Sequence, residues 1–292
     1  MIDRLPFREV WVIDFEFRQP DGEPVEAVHC LVAKELRTGR TLRLWGDELG
    51  ERPPFDVGLG SLVIAYMAAA EMHCFLALGW QLPVHILDPY VEFRNHTNKL
   101  ARPFGAGLLG AMQAYGLEPA DVREKEEMRA IAIRGAPFTM QEKAALLAYC
   151  ESDVTQLAQL VRAMLPRILQ RRGRAEWVNL MHALVRGRYM ADVARMEFTG
   201  VPIDVHQHQR IAARWEPLKG RLIEAVDRDF SVYEGTTFKA ARFEAYTKAR
   251  GIPWEFLASQ APWCQTKPTV SLAASPNSTS AWRWTSGSLR NG

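Results

Sequence analysis

Trp11 to Phe17 is an apolar run interrupted twice, at Asp14 and Glu16. It predicts a strand, and because strand side chains alternate faces, the two acids point the same way while Val12, Ile13, Phe15 and Phe17 supply packing. Gln19-Pro-Asp-Gly22 marks a turn, Val25–Leu36 a second strand, Arg37-Thr-Gly-Arg40 another turn and Thr41–Trp45 a third strand. These three form an antiparallel meander. After the Pro-rich Glu51-Arg-Pro-Pro54, Ser61–Tyr66 is a short apolar fourth strand, followed by helical spacing from Ala68 to Leu78 that stops at Gly79. His85-Ile-Leu-Asp88 predicts a fifth strand, with a helix after it through Phe93 or Arg94. Gly105-Ala-Gly107 opens a helix ending near Gly116, and Glu124–Arg129 begins another. Thr139-Met-Gln-Glu142 has the capping-box spacing ahead of a long amphipathic helix through Tyr149 and Asp153 to about Met164. Strands first and helices mixed in afterwards predict a layered α/β domain over residues 1–168.

Arg167–Arg174 is basic and reads as a linker, either a solvated helix end or a phosphate-contacting surface. Residues 176–250 are mostly helical in pattern, interrupted at Thr199-Gly-Val-Pro202. From Phe256 onward no Asp or Glu occurs, while Ser, Thr, Pro, Asn and Trp accumulate, so residues 256–292 are expected to be poorly ordered.

With 292 residues and 48% hydrophobic content, the chain can build a sizeable core and about two domains. Its formal charge of +2 neither requires nor excludes a nucleic-acid partner. Cys30, Cys74, Cys150 and Cys264 lack C-x-x-C spacing, which argues against a zinc ribbon or a disulfide framework and for reduced thiols. The first residues lack a signal-peptide pattern and no run reaches membrane-spanning length, so the expected location is the cytoplasm, with no membrane partner.

The two acids on one strand face have two readings. An edge strand could turn them to water. A buried strand would instead need a counter-charge, and a hard cation with oxygen ligands, Mg²⁺ or Mn²⁺, supplies it. Downstream, Tyr149-Cys-Glu-Ser-Asp153 places a phenol and a carboxylate four residues apart on one helical face.

Together these motifs resemble those of the DEDDy-type 3′-to-5′ exonucleases, in particular the proofreading domain of family A, polymerase I-like DNA polymerases. The first motif matches Asp14 and Glu16, and the third matches Tyr149 and Asp153. In the second motif the family has Asn, three residues, then Asp; this chain has Met67 and Glu71. The resemblance implies a ribonuclease H-like mixed sheet, an antiparallel meander plus parallel strands flanked by helices. It implies two Mg²⁺ or Mn²⁺ ions about 3.5–4 Å apart. Asp14 would serve both, Glu16 and Asp153 the first, and Glu71 the second, while Tyr149 orients the attacking water. Phe15, Met67 and Phe75 are candidates for base stacking, or alternatively core residues. Asp88 is read as structural.

Leu184 to Asp204, with Met196-Glu-Phe-Thr-Gly-Val-Pro-Ile-Asp204, is similar to the segment that opens the polymerase part of the same family. Residues 169–255 are therefore expected to be an incomplete, thumb-like helical segment. Residues 256–292 would be an out-of-frame tail of a truncated polymerase I-like protein, without polymerase activity. The leading expectation is a 3′-to-5′ exonuclease acting on single-stranded DNA ends and releasing nucleotides, with a role in replication or repair. A ribonuclease D-like RNA exonuclease and a catalytically weakened end-binding module are the alternatives.

Overall fold

The computed structural model describes residues 1–252, apart from Asp21, Ala120, Asp121, Arg171, Arg172 and Arg174 and the side chains of residues 122–125. The expected tail at 256–292, with Cys264, Trp263, Trp282 and Trp284, lies outside the described residues, as does Trp254. Arg171, Arg172 and Arg174 of the basic run do so too; Arg167 lies over the Tyr115 ring, 5.1 Å from its centroid.

The acid-bearing run becomes β1 (Glu9–Arg18), flanked by β2 (Ala27–Glu35) and β4 (Ser61–Ile64), with β3 (Thr41–Trp45) and β5 (His85–Leu87) at the edges. The five-stranded order is β3-β2-β1-β4-β5, antiparallel from β1 through β3 and parallel from β1 through β5. This is the ribonuclease H-like mixed sheet that was expected, and it excludes an edge position for Asp14 and Glu16. Val10, Trp11, Val12 and Ile13 are fully buried because a central strand is covered on both faces.

Pleating divides the core in two. Val10 and Val12 pack with α5 (Met140–Leu169), while Trp11, Ile13 and Phe15 pack on the opposite face with α1 (Ala69–Ala77) and α6 (Glu176–Thr199). Phe15 and Phe75 belong to that second core, their rings edge to face at 5.8 Å, so they are packing residues and not stacking surfaces. Asp14 and Glu16 share the parity of Val12 and face α5.

The long helix starts as its sequence predicts. Thr139 accepts from the Glu142 N–H, and the Glu142 carboxylate accepts from the Thr139 N–H. It runs beyond Met164, through Pro166, because Leu165, Ile168 and Leu169 continue the buried stripe, which outweighs the hydrogen bond that proline removes. Between β5 and α5 lie α2 (Pro89–His96), α3 (Leu108–Ala114) and α4 (Val122–Arg134).

The compact unit built on this sheet continues through Val201, past the expected boundary at 168, because α6 packs directly on β5 and α1. Arg186 of α6 grips the buried Glu92 of α2 with two hydrogen bonds of 2.6 and 2.9 Å. Gly187 lies so near the sheet that a Cβ there would come 2.0 Å from the Ile86 carbonyl oxygen. A second unit starts at Pro202 and holds α7 (Val205–Ala213), α8 (Trp215–Phe230), the hairpin β6–β7 (Tyr233–Glu234 and Thr237–Phe238) and α9 (Ala240–Ala249). The hairpin was missed in sequence because two-residue strands carry no measurable periodicity.

Gly187→Ala should destabilise the first unit by about 3 kcal/mol through forced overpacking, read as a lower urea midpoint. Gly220→Ala, at a helical glycine with nothing within 4 Å, should instead stabilise by about 0.5–1 kcal/mol.

Candidate metal centre

The site is assembled from three elements that sequence separates widely. β1 supplies Asp14 and Glu16, the first turn of α1 supplies Glu71, and the middle of α5 supplies Tyr149 and Asp153. All five meet in one corner. Glu71 lies in the field of Asp14 foremost, then of Asp88 and Asp153. The Tyr149 phenol lies in that of Asp153, Glu16 and Asp14 and hydrogen-bonds Asp153. Asp153 also accepts from Gln156 Nε2 at 3.3 Å, one turn along the helix.

Glu71 is the most constrained of the group. It is 4% exposed, and its Oε2 is buried without a hydrogen-bond partner. Burial first, and then the neighbouring carboxylates, push its pKa well above the ordinary 4.5. An acid held this way among other acids is what a divalent cation would relieve, so the donor set fits hard cations. Burial also drives the Tyr149 phenol far up, reinforced by Asp153, so it stays a hydrogen-bond donor across the working pH range.

The turn into α1 shows how Glu71 is aimed. Met67 stands at φ +60°, a left-handed conformation that costs a non-glycine residue about 1 kcal/mol and suits Asn better than Met. Buried Asp88 holds it there. Its Oδ1 accepts from the Met67 N–H at 3.1 Å and from Tyr90 N–H at 2.9 Å, and its Oδ2 accepts from Ala68 N–H at 2.9 Å. One carboxylate thus caps α2 and fixes the entry to α1, and burial raises its pKa to about 6. Met67 is 47% exposed, so of the three expected stacking candidates it alone is open to solvent.

Sequence reasoning passed over Cys150. Its Sγ and one carboxylate oxygen each of Asp14 and Glu16 all lie within 4.8 Å of one another. The thiol donates to the Asp14 backbone oxygen at 3.2 Å and also contacts Cys30. The signal was present in its place next to Tyr149, but a lone Cys in a helix has no spacing to read. A bulge in β2 opposite Glu16 lies beside it: Glu16 pairs with Cys30 and Phe17 with Val28, leaving His29 as the extra residue. Buried His29 meets the Ala132 carbonyl of α4 at 2.9 Å, and burial lowers its pKa, so the neutral ring's Nε2–H donates.

No protein-family model and no curated protein sequence matches the chain. Among solved structures it is similar to Escherichia coli RNase D, described as an exoribonuclease involved in structured RNA processing. The match has a TM-score of 0.40 at 13% identity and covers 63% of this chain and 44% of that one, so it spans less than half of that protein's length. Among the described residues no helix is long and apolar enough to cross a membrane.

Above the raised folded-state pKa of Glu71, Glu71→Gln should raise the melting temperature of chelator-treated protein, because it removes a buried carboxylate with one bare oxygen, worth about 1–3 kcal/mol. Since the folded chain holds the Glu71 proton above its ordinary value, wild type loses stability relative to this variant as pH rises from 4.5 through the folded-state pKa. Thermal scans at several pH values check the sign. Adding Mn²⁺ should then stabilise wild type more than Glu71→Gln.

Proposed function

We propose that the chain is a divalent-cation-dependent 3′-to-5′ exonuclease that hydrolyses the terminal phosphodiester of a nucleic acid, single-stranded DNA in the first instance. The observation that carries this reading is the convergence of four carboxyl groups from β1, α1 and α5, one of them buried with an unpartnered oxygen. Asp14, Glu16 and Asp153 would hold one ion, Mg²⁺ or Mn²⁺, and Asp14 with Glu71 the other. Bound cations would supply charge to stabilise the phosphoryl transition state and to acidify the attacking water.

The remaining work falls to the chain's own groups. Tyr149, kept protonated, directs its phenol toward the water that attacks the terminal phosphorus and turns away from Asp153 to do so; this is a positioning role. Asp88 sets the helix that carries Glu71 and does not touch substrate. Met67, exposed in the turn that leads to Glu71, is available to lie against the terminal base.

A family A, polymerase I-like origin rests on the motif resemblance at 14–16, 149–153 and 184–204. A weakened module that grips 3′ ends is a second reading, favoured by Met67 in a conformation suited to Asn and by the longer Glu71.

Digestion of 5′-labelled single-stranded DNA and RNA of one sequence with Mn²⁺ tests the proposal. The expected result is a ladder shortening from the 3′ end of DNA, reduced at least about 100-fold in Asp14→Ala and Asp153→Ala. Tyr149→Phe should lose about 100-fold, the scale of a misplaced reacting group. Met67→Asn combined with Glu71→Asp should cut faster than wild type. A ladder on RNA alone would assign the RNA reading, and binding without cutting in every chain would assign the end-binding module.

A further inference from the structure

Cys150 is a fully buried thiol inside the acidic corner, and the hydrolysis proposed above does not use its sulfur. We propose that Cys150 turns this corner into a site for thiophilic divalent cations, Zn²⁺ foremost, held by the Cys150 thiolate together with Asp14 and Glu16. The inference rests on the reading of this corner as a cation site.

Geometry favours it. The three candidate donor atoms lie within 4.8 Å of one another and come from two elements packed together in the core, β1 and α5. With Zn–S of about 2.3 Å and Zn–O of about 2.0–2.2 Å, donors sharing one ion need to draw together by roughly 1 Å, a movement within reach of side-chain rotation. Cys150 Sγ already touches the residue whose carboxylate it would join, through its 3.2 Å hydrogen bond to the Asp14 backbone oxygen. The second observation is independent of the thiol: Glu71 Oε2, buried and unpartnered, has Asp14 as its foremost charged neighbour, so negative charge is crowded around a bare oxygen at this corner.

Chemistry then decides which cation gains. Carboxylates alone suit Mg²⁺ and Mn²⁺, whereas a sulfur donor tilts preference toward Zn²⁺, Cd²⁺ and Cu⁺, beyond the usual rise in affinity from Mn²⁺ to Zn²⁺. On binding, the S–H bond breaks, its electron pair becomes the donor pair to the ion, and the proton leaves to solvent; no redox change occurs. Two carboxylates and a thiolate leave one position for water. Zn²⁺ seated there would occupy Asp14 and Glu16, the groups the proposed hydrolysis uses, and would therefore inhibit.

The test uses the full chain carrying Cys264→Ser, with Cd²⁺ as probe. Titration with Cd²⁺ should give an ultraviolet thiolate-to-cadmium band saturating near one equivalent, lost in Cys150→Ser and Cys150→Ala and reversed by Zn²⁺. Cys150→Ser keeps a hydroxyl donor for the Asp14 backbone oxygen and so guards against a variant that fails to fold. Its Zn²⁺ affinity should fall at least about tenfold, while its Mn²⁺ affinity, read by paramagnetic resonance of the free ion, should change less than about threefold. Mn²⁺ binding without a cadmium–thiolate band, or a band that survives in Cys150→Ser, overturns this inference and leaves the cation site standing. No binding of either ion overturns both.

Discussion

Like charges confined in a low-dielectric corner repel, and the fold around Asp14, Glu16, Glu71 and Asp153 consists largely of what holds them together against that repulsion. Glu71 carries the sharpest conflict, since it is buried, has a carboxylate oxygen without a partner and answers electrically to three other acids. Left to relax, such groups would move to water or take up protons. Their backbone cannot let them move. β1 is the middle strand of five, and α5 lies along it in a stripe of buried residues from Leu146 to Leu169.

Asp88 extends the same logic to the next layer. A single buried carboxylate accepts backbone N–H groups from Met67, Ala68 and Tyr90 and so locks the exit of β4 to the start of α2. Its burial is compensated by those donors, whereas Glu71 keeps one oxygen without any. Two buried acids close in space are therefore treated differently: one is satisfied by backbone donors, the other keeps a bare oxygen among like charges. Met67 carries the strain of this arrangement at φ +60°.

On the far side of the sheet, α6 works as a brace. Gly187 against Ile86, the paired hydrogen bonds of Arg186 to Glu92, and the core of Trp11, Ile13, Phe15 and Phe75 keep β1, β4 and α1 in register. Ile13 and Asp14 are neighbours on opposite faces of one strand, so the same backbone carries both the brace's core and the corner's acid. His29, displaced by the bulge opposite Glu16, ties α4 to the same edge of the site.

The meander, the two short apolar strands after it and most helix starts were legible in sequence because they depend on local rules: alternation or short apolar runs, Thr139 with Glu142, and Gly or Pro at the breaks; that the two short strands run parallel to β1 followed only from the motif resemblance. Asp14 with Glu16 and Tyr149 with Asp153 could be paired in advance, since spacing along a strand or a helix fixes which side chains share a face. What tertiary structure alone decided is what lies between elements. That Cys150 sits among the acids, that Asp88 grips the Met67 turn, and that Phe15 and Phe75 turn away from the site are matters of packing distance. The length of α5 beyond Pro166 and the attachment of α6 to the sheet likewise depend on burial against partners far away in sequence. Periodicity tells which face a residue occupies, and only the folded chain tells what that face meets.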